Sequence, residues 1–186
     1  MIDADLVRLD AMEGNWDGAQ ARITRLITDQ DAALVQLGSV YQARLAVWRR
    51  DDQQLDEGVA RIASRMNANS GGADQLRFYQ LWRAGTPISS EEWRAHADGL
   101  VNPQVAFRLQ AINLQRMVEL GVVMDRLDDA WYCLRLASDK TGLIDVVWVD
   151  QCPLFQPHRS NPDFLSVRDQ IAGRAREMLA AIRSQR

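Results

Sequence analysis

Apolar residues recur along this chain at steps of three and four rather than two. From Ala32 to Arg50, the positions Leu34, Leu37, Tyr41, Leu45 and Trp48 fall on one face of a helix. Asp29 or Asp31 can start that helix by accepting a hydrogen bond from a free backbone N–H. The polar run Asp51-Asp52-Gln53-Gln54 interrupts the face, and Leu55, Val59, Ile62 and Met66 resume it. Two amphipathic helices joined by so short a connection must lie antiparallel and bury their apolar faces against each other.

The same grammar continues. Ser70-Gly71-Gly72 ends one hairpin and opens a helix carrying Leu76, Phe78, Leu81 and Trp82. Gly85-Thr86-Pro87 closes it, because proline disfavours a helical residue before it. Ser89 and Glu92 form a capping box for a helix through Trp93 to about Leu100. Asn102-Pro103 predicts the next start, a cap followed by proline at the first helical position, and the helix runs to about Gly121. Asp125 starts its partner, with Leu127, Trp131, Leu134 and Leu136 facing inward. Asn161-Pro162-Asp163 caps a last helix whose apolar face is Phe164, Val167, Ile171, Ala175, Met178 and Leu179. Only Ile144 to Val149 has strand-like composition. It has no second strand to pair with, so it reads as a short helix packed on the last hairpin. The expected class is all-α.

Composition narrows the function classes. Of 186 residues, 47% are hydrophobic and 25% charged, ordinary globular usage that argues against disorder. With 22 basic and 25 acidic residues, the net charge of -3 gives no electrostatic case for nucleic acid or an anionic membrane. No apolar run is long enough to span a bilayer, and the N-terminal MIDADLVRLD lacks the pattern of a signal peptide, so a cytoplasmic location is expected. Cys133 and Cys152 are too few for a disulfide framework and read as small buried side chains. His96 and His158 lie at no ligand-like spacing from them, so no metal is expected.

The segments Gly14–Leu26, Asp51–Arg65 and Met124–Ala137 share one pattern: a turn residue, polar and acidic residues, a small residue, then an apolar residue four later. The small residues are Ala19, Gly58 and Ala130, and their followers are Ile23, Ile62 and Leu134. A small residue lets the second helix of a hairpin approach the first, and the follower sits one turn further along the same face. The spacing is 58 − 19 = 39 and then 130 − 58 = 72, two repeats of 36. The tetratricopeptide period is about 34. The pattern resembles tetratricopeptide repeats with lengthened helices or turns. Gly58 stands where that family usually has alanine, and the third unit around Trp82 to Leu100 departs from its consensus. The resemblance implies a right-handed α-solenoid of about four helical hairpins over residues 1–186. Its units would be 1–30, 31–68, 72–101 and 102–140, with a terminal short helix, loop and capping helix in 141–186.

The run Trp148 to Val167 resembles the ending of tetratricopeptide regions in bacterial signalling proteins, on Pro153, Leu154, Phe155, Arg159, Asn161, Pro162 and Phe164. Such endings accompany serine/threonine kinases, class III adenylate cyclases and winged-helix transcription activators. The resemblance implies a parent of that kind. A stack of hairpins leaves its last apolar face uncovered, so a terminal cap is required. The Phe164 helix suits that role, with Arg168, Arg174 and Arg176 turned outward. No comparable cap precedes the first repeat, which implies a fragment of a longer chain or an array that continues upstream.

Catalytic readings find little support. Gly71-Gly72 has neither a strand before it nor a Lys-Ser/Thr after it, so it is no phosphate loop. The pairs Asp51-Asp52, Glu91-Glu92 and Asp128-Asp129 sit at helix starts, where acids favour the positive end of the dipole. No serine lies in a nucleophile-elbow pattern, and His158 reads as an ordinary loop residue rather than an anion ligand. Neither an enzyme nor a cofactor is expected. Core packing is the expected role of the tryptophans, five of the six falling at inward-facing or hairpin-start positions, and Trp93, flanked by Glu91, Glu92 and Arg94, is the best candidate for exposure.

The resemblance implies a concave groove lined by the first helices of the hairpins. Its candidate partner-binding residues are Gln36, Ala43 and Arg50 in the second unit, Arg77 and Gln80 in the third, and Arg108, Gln115 and Glu119 in the fourth. Arginine there would pair with carboxylates of an acidic segment. The expected function is protein–protein interaction in a signalling or regulatory protein, with a peptide, a protein or the parent's own effector domain as partner. The alternatives are a ligand-sensing regulatory domain attached to a kinase, cyclase or DNA-binding effector, and a dimerising array.

Overall fold

The structure is a computed structural model and describes residues 2–64, 73–142 and 145–184. All regular elements among them are helices, as the periodicity predicts. Met66, the Ser70-Gly71-Gly72 break and Ile144 lie outside the described residues. The chain divides into two compact units, Met1–Pro87 and Ile88–Arg186, so the boundary falls inside the expected third repeat.

The first unit contains α1 (Ile2–Met12), α2 (Trp16–Ile27), α3 (Ala32–Arg49), α4 (Asp52–Ala63) and α5 (Ala73–Arg83). Asp31 caps α3 by accepting from the Ala33 N–H at 2.8 Å, and Asp51 caps α4 by accepting from Gln54 at 3.1 Å. Helix α3 is the hub, packing against α1, α2 and α4. That explains why its burial exceeds the expected single stripe. Leu45 and Trp48 are buried as predicted, but so are Val35, Gly38, Ser39, Gln42 and Arg44, while Leu34, Leu37 and Tyr41 are only half-buried. The α3–α4 contact is as close as backbones allow. A Cβ on Gly58 would stand 2.9 Å from the Ala43 backbone nitrogen. Ala19, Ile23 and Ile62 are buried, as the repeat pattern requires of them.

The second unit contains α6 (Ser90–Gly99), α7 (Phe107–Val123), α8 (Leu127–Thr141), α9 (Val146–Gln151), a 3₁₀ helix (Pro153–His158) and α10 (Pro162–Ser184). The α7–α8 hairpin again packs through small residues. A Cβ on Gly121 would come within 2.9 Å of the Ala130 Cβ. Helix α8 also receives α6 and α10, and α9 packs against α10 and the 3₁₀ helix. The strand-like run around Val146–Val149 is helical, as expected. Ser89 caps α6 by accepting from Glu92 N–H at 3.0 Å, and Asn161 caps α10 through Phe164 N–H at 3.1 Å.

Two boundaries differ from expectation. Asn102-Pro103 does not start α7. The Asn102 side chain instead accepts from Gln104 N–H at 2.9 Å, and the Gln110 amide donates to the Asn102 and Val105 carbonyls. This local network makes a turn of residues that read as a cap, and the helix begins at Phe107. Asp125 takes a left-handed conformation (φ 58°) in the turn before α8 and does not cap it.

Helix α10 behaves as a cap only in its first half. Phe164, Val167 and Ile171 are buried, while Met178, Leu179 and Ile182 continue the apolar stripe into solvent. Of the arginines expected to point outward, only Arg176 does. Arg174 donates to the Ser138 carbonyl and hydroxyl, and Arg168 pairs with Asp150.

Candidate functional site

The delayed start of α7 decides what its first turn displays. Phe107 is 66% exposed and Leu109 is 50% exposed, with the exposed Arg108 between them. Phe107 is the most exposed large apolar side chain among the described residues. One turn later the helix enters the core, beginning with Gln110 and Ala111. The turn therefore offers an aromatic, a guanidinium and an aliphatic side chain within three residues. Buried aromatic and arginine side chains dominate protein interfaces.

Three of the eight predicted groove residues are buried, and the other five are exposed or half-buried. In the first unit, Arg50, Arg77 and Gln80 are exposed, and Gln36 is half-buried. Ala43 is corrected: it is wholly buried beneath Gly58, since the close α3–α4 contact uses its backbone. In the second unit, Arg108 is exposed, whereas Gln115 and Glu119 are corrected as buried residues. Glu119 accepts a hydrogen bond from Trp148 Nε1 at 2.7 Å, and Gln115 donates to the Asp145 carboxylate at 3.3 Å. Asp145 in turn accepts from the Trp148 N–H at 3.0 Å. These polar residues fix α9 against α7, and Gln115 and Glu119 are closed off from solvent. Sequence spacing marked them as flanking positions because it cannot register that α9 covers them.

Trp93 is corrected too, being fully buried. Its indole donates to Cys133 Sγ at 3.3 Å, and Arg126 stacks on its ring at 5.3 Å. Burial pushes the Cys133 thiol up to about 12, against the smaller opposing effect of the Trp93 hydrogen bond, so the sulfur is an inert packing group. Of the charges flanking Trp93 in sequence, Arg94 ties its helix to α8. Asp129, 3% exposed, receives Arg94 Nε at 2.9 Å, Arg126 Nη2 at 2.6 Å and Ser90 Oγ at 2.9 Å, tying α6 to α8.

A concavity lies where α9, the 3₁₀ helix and α10 meet. It is a cleft of about 280 Å³ lined by Val149, Asp150, Arg159, Phe164, Leu165 and Arg168. Val149 and Phe164 are buried, and Leu165 is 36% exposed. Asp150 gathers both arginines: Arg168 Nε donates to its carboxylate at 2.6 Å, and Arg159 donates to its main-chain carbonyl. Asp150 also holds the Arg168 guanidinium above its usual pKa. His158, beside Arg159, is half-buried and packs edge-on against Trp131 at 5.8 Å.

Among the described residues, no three His, Cys, Asp or Glu side chains converge where a metal ion could be held. No helix among them is long and apolar enough to cross a membrane. Comparison with protein-family models, with curated proteins and with solved structures finds no match to this chain.

Proposed function

We propose that the chain is a protein-interaction module: a right-handed α-solenoid of tetratricopeptide-like hairpins belonging to a bacterial signalling or regulatory protein. One observation carries this reading. The first turn of α7 leaves Phe107 and Leu109 largely exposed around Arg108. A large aromatic displayed to water in this way costs hydration free energy that a partner's apolar pocket recovers. The guanidinium beside it favours a partner with a carboxylate next to an apolar side chain. The close-packed α3–α4 and α7–α8 hairpins supply the rigid support that an interaction surface needs. They also support the repeat reading, because each places a small residue of the repeat pattern at the helix contact.

The test is affinity capture from an extract of the source organism, using wild type, Phe107→Asp and Arg108→Glu. Both substitutions lie at exposed positions, and far-UV circular dichroism checks that each variant folds. The expected result is a discrete protein recovered by wild type and lost with both variants. Truncating an interface anchor costs about 2 kcal/mol or more, roughly thirtyfold in affinity. Identical recovery by all three proteins removes the proposal.

A further inference from the structure

Helix α10 outlasts the helix it packs on. Its Phe164 ring lies 5.3 Å from Trp131 of α8, and Arg174 donates to the Ser138 carbonyl, so the two helices run in the same direction. After Ser138, α8 has 141 − 138 = 3 residues left, and after Arg174, α10 has 184 − 174 = 10. The difference is about 10 Å of helix. The apolar face does not stop with the contact. Phe164, Val167 and Ile171 are buried, and Ala175, Met178 and Ile182 follow on the same face at steps of four, three and four. Met178, Leu179 and Ile182 are 45%, 53% and 48% exposed. The first turn of α7 reaches the same end. Gly121 meets Ala130, which sets the antiparallel α7–α8 register. Phe107 lies 121 − 107 = 14 residues from that contact and Thr141 lies 141 − 130 = 11, so α7 begins level with the end of α8 or just past it. Phe107 precedes the buried stripe of Ala111, Leu114 and Val118 by one step of four. Two helices packed on α8 thus each carry a core-facing stripe past its end.

We infer that this end of the second unit binds an acidic amphipathic helix, its apolar face on Met178, Leu179 and Ile182 and its carboxylates on Arg176 and Arg183. The inference deepens the proposal for the α7 turn and rests on it in counting Phe107 as part of the contact. Charge selects the partner. Arg108, Lys140, Arg174, Arg176 and Arg183 stand at this end against Asp139, Asp145 and Glu177, a balance of 5 − 3 = +2 on a chain whose net charge is -3. Arg174 and Asp139 pair with each other at 3.4 Å, whereas Arg176 and Arg183 are exposed. These two arginines lie three and four residues from Leu179 and so line one edge of the apolar face. An exposed helix face edged in this way is matched by the ridges of another helix. A second copy of the chain would bring +2 against +2. An anionic membrane satisfies the charge, but interfacial helices bury a long apolar face. On α10 the face left free is confined to the overhang, because its first half is spent on α8 and α9.

The experiment is titration of isotope-labelled protein, followed by amide chemical shifts, with three probes. The first is a peptide of about 18 residues, long enough to hold a helix, with leucines at i, i+3, i+4 and i+7 and glutamates elsewhere. The second has lysines in place of the glutamates, and the third is vesicles of phosphatidylcholine and phosphatidylserine. The expected result is saturable shifts at Met178, Leu179, Ile182 and Phe107 with the acidic peptide alone. Leu179→Asp, and Arg176→Glu together with Arg183→Glu, are each expected to weaken that binding about tenfold or more. All three positions are exposed, and far-UV circular dichroism checks that the variants fold. No saturable shift with the acidic peptide overturns the inference. So does equal binding of the basic peptide or the vesicles, or a shift of the same residues with protein concentration alone, which would assign the face to a second copy. Binding lost with Phe107→Asp but unchanged in the α10 variants overturns the role of α10 and leaves the α7 anchor standing. Binding lost in the α10 variants but unchanged with Phe107→Asp supports the α10 face and counts against that anchor.

Discussion

Replacing Trp131 with alanine is expected to destabilise the second unit by about 3–5 kcal/mol. Trp131 is 1% exposed on α8 and stands at the centre of an aromatic cluster. Its ring lies 5.3 Å from Phe164 of α10 and 6.3 Å from Phe155 of the 3₁₀ helix, and His158 packs edge-on against it. Phe155 extends the cluster to Trp148 of α9 at 5.1 Å. Removing the indole therefore unpins the 3₁₀ helix and α10 at once and leaves a cavity that rigid ring neighbours cannot refill. Trp131→Phe keeps part of the contact and should lose less. Urea unfolding followed by far-UV ellipticity gives the measurement. A loss below about 1 kcal/mol for the alanine variant would show that the cluster does not hold these elements together.

Gly58→Leu is expected to cost the first unit about 1–3 kcal/mol, despite a gain in helix propensity of roughly 1 kcal/mol. The decisive feature is what the new side chain meets. A Cβ at position 58 stands 2.9 Å from the backbone nitrogen of Ala43 and 3.1 Å from its Cα. Backbone atoms in the middle of α3 cannot swing aside as a flexible side-chain end could, so α3 and α4 must separate. Separation opens the buried contacts of Leu55 and Ile62 in α4. Gly58→Ala should show a smaller loss of the same sign. The same urea titration decides it, and a more stable leucine variant would mean that the two helices are not in close contact.

Local pattern carried much of the fold. The 3.6-residue period located the helices because one-sided burial leaves its mark on neighbouring positions. The caps at Asp31, Ser89 and Asn161 were legible because their partners lie two or three residues away. The small residues Ala19, Gly58 and Ala130 were legible from internal repetition. What failed depends on distant chain. Asn102-Pro103 has the composition of a helix start, but Gln110, eight residues on, holds it as a turn. Trp93 looked exposed beside its charges, yet Arg94 reaches across to Asp129 on α8, and Arg126, from the turn before α8, stacks over the ring. Gln115 and Glu119 looked like groove residues because nothing local reveals that α9 covers them. Of the candidate binding residues, Arg108 was the one legible in the sequence within the exposed α7 turn. Its neighbours Phe107 and Leu109 were missed, since apolar residues at a helix start read as core. The cleft was invisible for a different reason. It requires Arg159 and Arg168, on either side of a turn, to converge on Asp150.

Site-specific photocrosslinking in the source organism addresses the interaction surface itself. A photoreactive phenylalanine is placed at position 107 and, for comparison, at the exposed Gln156. The predicted result is one discrete adduct from position 107, absent from position 156 and lost when Arg108→Glu is added. Adducts that are the same from both positions, or none from position 107, would contradict it.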